Sequence, residues 1–204
     1  GRGLRHRHPH ATRDARAVVE TYHVGGIMIG SWTDLSMLTD GSLPDTANAG
    51  PLPLAVSVDE EGGRVSRLAS LIGASPSARV LAQTQTPDEV YQLALSRGQK
   101  MRGLGITVDF APVVDVSDQG DDTVIGDRSF SNDPATVTAY AGAYARGLRD
   151  AGVLPVLKHF PGHGHGSGDS HTAGVVTTPP LDQLMQSDLV PYRTLTTEGP
   201  VAVM

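Results

Sequence analysis

Five short apolar runs constrain this chain more than any other feature: Ile27-Met28-Ile29, Leu54 to Val58, Ile106 to Ala111, Val153 to Leu157 and Val201 to Met204. Each is dominated by apolar residues and so reads as a strand covered on both faces. Helix signals lie between them. Residues 11–24 read as a helix running into Val24-Gly25-Gly26. Thr86-Pro87-Asp88-Glu89 offers a capping hydroxyl, a proline at the first helical position and acids in the first turn. Val90, Leu93, Ala94, Met101 and Leu104 give that helix an apolar face, and Gly103 and Gly105 end it. Asp133-Pro134 opens another, with Val137, Tyr140, Ala141, Tyr144 and Leu148 on one stripe and Gly152 as its stop. After Thr178-Pro179-Pro180 a single last helix is predicted, with Leu181, Leu184, Met185, Leu189 and Tyr192 facing inward. Residues 31–50 read as loop with one helical turn.

Strands alternating with helices predict an α/β fold with a parallel sheet. No G-x-G-x-x-G follows the first strand, so a dinucleotide fold has little support. The expected architecture is a (β/α)8 TIM-type barrel. Such barrels take about 250 residues, and only about five strands can be read in the 204 residues here. The chain is therefore expected to be one partial barrel domain, residues 1–204, lacking carboxyl-terminal units. Residues 1–16, with their cluster of arginines and histidines, read as a basic arm or the start of a truncated first unit. The chain opens on Gly1, so an amino-terminal portion is expected to be missing.

A net charge of −6 argues against nucleic acid as a partner, because phosphate-binding surfaces carry a basic excess. With no cysteine there is no disulfide framework, thiolate metal site or thiol nucleophile. No apolar run approaches the roughly 18 residues that span a bilayer. Compartment and oligomeric state stay open.

Polar residues recur where the strands stop: Asp59 after the second, Asp115 beyond the third, Lys158 and His159 after the fourth. A barrel gathers such residues at one mouth. Asp115 reads equally as a turn or cap residue, Arg64 and Arg67 as surface charges, and Arg128 as a structural partner of Asp127. Lys158 is harder to dismiss, since a lysine closing an apolar strand is costly without a partner. A glycine-rich loop follows, holding His163, His165, Asp169 and His171.

Lys158-His159-Phe160-Pro161-Gly162-His163-Gly164, followed by Gly168-Asp169-Ser170-His171, resembles the signature of glycoside hydrolase family 3, in its branch of bacterial β-N-acetylglucosaminidases. Val58 to Val65, Asp109 to Asp115 and Gly126 to Phe130 resemble three further motifs of that family, and the match runs from about Val24 to Met204. The resemblance implies a retaining hydrolase that releases terminal β-linked N-acetylglucosamine, with peptidoglycan fragments as the substrate class and neither metal nor cofactor. It implies that Asp59 holds sugar hydroxyls and that Arg67, Arg128, Lys158 and His159 bind the sugar. It makes His171 the acid/base and Asp169 its assistant, with Gly164, Gly166 and Gly168 letting that pair swing. Most retaining glycosidases use two carboxyl groups. A histidine with an ordinary pKa of about 6.5 can also protonate the departing oxygen and then accept a proton from water. The nucleophile of the family is an aspartate after a later strand, expected beyond this chain's end.

Other readings remain at this stage. A family-related β-glucosidase or N-acetylglucosaminide phosphorylase fits the same motifs. A barrel that kept the sugar pocket without turnover is a non-enzyme alternative. His163-x-His165 resembles the metal pair of barrel amidohydrolases, but that pair should end a strand, whereas Pro161-Gly162 has already broken this one.

Overall fold

The computed structural model describes residues 11–169 and 176–204. Helix α1 (Ala11–Tyr22) leads into strand β1 (Gly26–Ile29). A 3₁₀ turn (Leu35–Leu38) and α2 (Ser42–Ala47) precede β2 (Ala55–Val58). Next come α3 (Ala69–Ile72), α4 (Ala78–Thr84), α5 (Pro87–Gly103) and β3 (Val108–Asp109). The long α6 (Pro134–Asp150), β4 (Leu154–Leu157), α7 (Leu181–Gln186), α8 (Val190–Leu195) and β5 (Ala202–Val203) complete the order.

All five strands pair in parallel and in the order of the sequence, β1-β2-β3-β4-β5. A doubly wound sheet reverses its strand order at a switch point, whereas a barrel advances one strand at a time around its wall. The unreversed order is that of a barrel arc, and among the described residues the barrel is not closed. Val56 and Val58 are buried on the helix side of β2, while Ala55 and Ser57 alternate to the other face. The core joins these valines to Val90, Ala94 and Met101 of α5, to Val137, Ala141, Tyr144 and Leu148 of α6, and to Leu157 of β4.

The predicted start of α5 is present as a capping box: Thr86 accepts from the Glu89 N–H, and Glu89 accepts from the Thr86 N–H. Asp133 caps α6 through the Thr136 N–H. Beyond residue 180 the expectation of one helix is corrected to two, α7 and α8. Pro191 lacks an N–H, and its ring would clash with the Ser187 carbonyl in a continuous helix. The chain turns at Ser187 instead, and Leu189 N bonds back to Leu184 O at 2.8 Å. As a result Leu184 and Tyr192 are buried, but Leu181 and Met185 face solvent.

Helices α5 and α6 touch backbone to backbone. A Cβ on Gly147 would stand 2.6 Å from Tyr91 O and 2.8 Å from Ala94 Cβ. Glycine inside a helix costs about 1 kcal/mol relative to alanine; here it permits the approach that buries both apolar stripes. Gly147→Val is therefore expected to destabilise the protein by about 1–3 kcal/mol in urea unfolding. Gly103→Ala, with open space around its Cβ position, should leave the midpoint unchanged or slightly raised. Equal effects from the two changes would refute the packing account.

Candidate active site

The mouth of the arc is assembled from the carboxyl ends of β2, β3 and β4. After β2 the three consecutive acids alternate in direction, as extended backbone requires. Asp59 and Glu61 turn toward Lys158, which follows β4, while Glu60 turns under the loop. Glu60 is fully buried and accepts from Ser66 Oγ at 2.7 Å, Arg67 N at 2.7 Å, Leu68 N at 2.8 Å and Arg97 Nη2 at 2.6 Å. This network seats the loop on α5. Losing one partner of such a buried pair costs about 3–5 kcal/mol.

Lys158 is buried, and its Nζ lies 2.8 Å from Asp59 Oδ1 and 2.6 Å from Glu61 Oε1. These are the partners its position demands. Arg128 grips Glu61 with two bonds, Nε to Oε2 and Nη2 to Oε1, both 2.8 Å. Its Nη2 also lies 3.1 Å from His159 Nε2. A guanidinium only donates, so His159 Nε2 accepts and the ring proton sits on Nδ1, 2.5 Å from Asp115 Oδ2. Asp59, Lys158, Glu61, Arg128, His159 and Asp115 thus form one continuous hydrogen-bonded chain across the mouth.

Burial alone would push the Glu61 carboxyl upward, but the bonds and charges of Arg128 and Lys158 outweigh it and hold the group below its ordinary value. Burial likewise opposes the charge on Arg128, and Glu61 more than compensates. Asp109, at the end of β3, is the opposite case. Full burial raises its carboxyl well above its ordinary value, although its Oδ1 accepts from the Glu60 N–H at 3.0 Å.

Several sequence readings change here. Asp127 pairs with Arg64 (Nε to Oδ1, 3.3 Å), not with Arg128. Arg64 is more than a surface charge, because its Nη2 also donates to the carbonyls of Thr123, Val124 and Ile125 and so clamps the loop that carries Arg128. Arg67 is half-buried, with its Nε shielded and without a hydrogen-bond partner among the described residues. Asp115 is no mere cap. Fully buried, it accepts from His163 N at 2.7 Å and His159 N at 3.3 Å, as well as from the His159 ring. Three acids in a row at a strand end are the only local sign of Glu60 and Glu61 in the sequence, where Asp115 reads equally as a turn or cap residue.

The glycine-rich loop is pinned at its foot. A Cβ on Gly164 would stand 1.9 Å from Val116 O, and one on Gly162 would stand 2.5 Å from Asp188 Cβ. Gly164 is thus a close-approach glycine and not the hinge its sequence context predicts. His165 Nδ1 adds a contact of 3.0 Å to the buried Asp188. Asp169 is half-buried further along this loop. His171 lies outside the described residues.

The pattern of the glycosyl hydrolase family 3 N-terminal domain matches residues 3–204. The chain belongs to this family. It is 74% identical over 193 residues to β-hexosaminidase LpqI of Mycobacterium tuberculosis, covering 94% of this chain and 49% of that protein. A solved family 3 glycosyl hydrolase from Mycobacterium smegmatis superposes with a TM-score of 0.93 at 79% identity, covering 95% of this chain and 58% of that one. A family 3 β-N-acetylglucosaminidase from Paenibacillus sp. str. FPU-7 superposes with a TM-score of 0.85 at 34% identity, covering 94% and 37%. The chain thus spans about half the length of the mycobacterial hexosaminidase. Among the described residues no helix is long and apolar enough to cross a membrane.

Because folded Asp109 holds its proton more tightly than the unfolded chain does, its contribution to stability is most favourable below the ordinary value of 3.8. It is lost as pH rises through the folded value. Asp109→Asn keeps an acceptor for the Glu60 N–H. It should raise the urea midpoint more at pH about 8 than at pH about 5. A variant whose midpoint tracks the parent at both pH values would contradict the burial of a costly charge.

Proposed function

We propose that this chain supplies the sugar-binding part of a retaining β-N-acetylhexosaminidase that removes terminal β-linked N-acetylglucosamine, with peptidoglycan fragments as the natural substrate class. The observation that carries the reading is the hydrogen-bonded chain from Asp59 to Asp115 at the barrel mouth. A pyranose presents a ring of hydroxyls that both donate and accept. Asp59 accepts from them, while Lys158, Arg67 and Arg128 donate. His159, its ring fixed by Asp115 and Arg128, completes the contact surface. The pairing of Lys158 with Asp59 and Glu61 holds these groups in place before sugar arrives, which lowers the ordering cost of binding. The names of the mycobacterial relative, a β-hexosaminidase, and of the Paenibacillus one, a β-N-acetylglucosaminidase, support the N-acetylglucosaminide part of this reading.

In this proposal His171 donates a proton to the glycosidic oxygen as the bond to the anomeric carbon breaks. A carboxylate on a later βα unit takes up that carbon. His171 then accepts a proton from the water that releases the sugar. Asp169, two residues away, orients the imidazole and raises its basicity, the part an acid plays in a serine-protease triad.

The test is hydrolysis of a chromogenic β-N-acetylglucosaminide by the 204-residue chain and by a protein extended to the length of its relatives. Turnover is expected from the longer protein alone. Turnover by this chain would refute the placing of the nucleophile, and inactivity of both would refute the hydrolase. In the longer protein, His171→Ala should slow substrates with poor leaving groups by about 10²–10⁴ and nitrophenyl glycosides far less. Asp59→Asn should instead raise KM, and an unaltered KM would remove Asp59 from the sugar contact.

A further inference from the structure

Trp32, the only tryptophan of the chain, is 83% exposed, although it stands just beyond the end of β1 in the mouth of the arc. A single exposed apolar side chain needs no explanation by itself. What singles out Trp32 is how it is held. Its ring lies flat against Gly30, where a Cβ would stand 2.8 Å from Cζ2 and 2.9 Å from Cε2 and Cη2. The turn beneath it is closed from both sides: Gly30 N donates to Thr33 Oγ1 at 2.9 Å, and Thr33 N donates to Gly30 O at 3.1 Å.

The sheet register gives the direction of that ring. Ile29 pairs with Val58 at the end of the ladder, and the same register carried one residue further sets Gly30 beside Asp59. Residues side by side on neighbouring strands point to the same face, and neighbouring strands lie about 4.8 Å apart. Asp59 points into the mouth, to Lys158. The empty Cβ direction of Gly30 therefore points there too, and the indole occupies it. One pyranose ring can touch the Asp59 carboxylate and the indole at once.

We propose that Trp32 is a stacking platform for the pyranose whose hydroxyls Asp59 holds, an inference that rests on reading the mouth as a sugar site. In a β-linked gluco-configured sugar the ring substituents are equatorial, so both faces carry axial C–H groups. Such a face is apolar and slightly positive, and it meets the negative face of an aromatic ring. The hydroxyls at the ring's rim remain free for Asp59, Lys158 and Arg128. The closed Gly30–Thr33 turn sets the indole in place beforehand.

Because Trp32 is the only tryptophan, emission excited beyond the absorption of tyrosine reports on it alone. N-acetylglucosamine should produce a saturable change in emission and protect the indole from acrylamide, at the concentrations where calorimetry detects binding. Trp32→Ala should weaken the calorimetric affinity by about tenfold and Trp32→Phe by about threefold, with unchanged urea midpoints. Heat of binding with silent fluorescence and an unaffected Trp32→Ala affinity would overturn the platform and leave the sugar site standing. An absence of heat in the parent chain would overturn the sugar site and the platform with it.

Discussion

The mouth of this barrel arc is organised by one buried ammonium. Lys158 extends from the end of β4 and is met by Asp59 and Glu61 from the end of β2. An unpaired charge at that depth would cost several kcal/mol, so the pairing is a condition of folding. It also bears on shape. Strands two places apart in a flat sheet lie roughly 10 Å from each other. Long side chains can bridge that gap, and the contact ties β2 to β4 on one face of the sheet across β3, which itself pairs over only Val108–Asp109.

Around that ammonium the acids divide their work by direction. Glu60 spends its carboxylate on α5 and on the backbone of its own loop. Glu61 orients Arg128, which in turn fixes the tautomer of His159. Asp115 binds the His159 ring and the backbone N–H groups of His159 and His163, so the end of β4 and the foot of the histidine loop share one anchor. Gly162 and Gly164 press that loop against Asp188 and Val116. The loop is thus firmly held where it leaves the strand.

The parts of this architecture that depend on local sequence were legible in it. The five apolar runs became five parallel strands, and the capped starts of α5 and α6 fell where Thr86 and Asp133 placed them. Helices α3 and α4 escaped notice because four and seven residues are too short to show a stripe. The break between α7 and α8 was written in Pro191, but the apolar spacing of Leu184, Leu189 and Tyr192 obscured it. At the site, the identity of the mouth residues followed from strand ends and from the family resemblance, whereas their pairing did not. Glu61 meets Arg128 67 positions away, and Asp115 meets His163 48 positions away. Separations of that size carry no periodic signal, so a turn acid and a structural anchor look alike until the chain is folded.

The alternation of Asp59, Glu60 and Glu61 makes this tripeptide a fixed-length ruler. Inserting one residue between Val58 and Asp59 would turn every acid to the opposite side. Asp59 would then take the place of Glu60 beside Arg97, Glu60 that of Glu61 beside Lys158, and the mouth position of Asp59 would fall to the inserted residue. Substitutions here exchange one contact, but a change of length exchanges inside for outside.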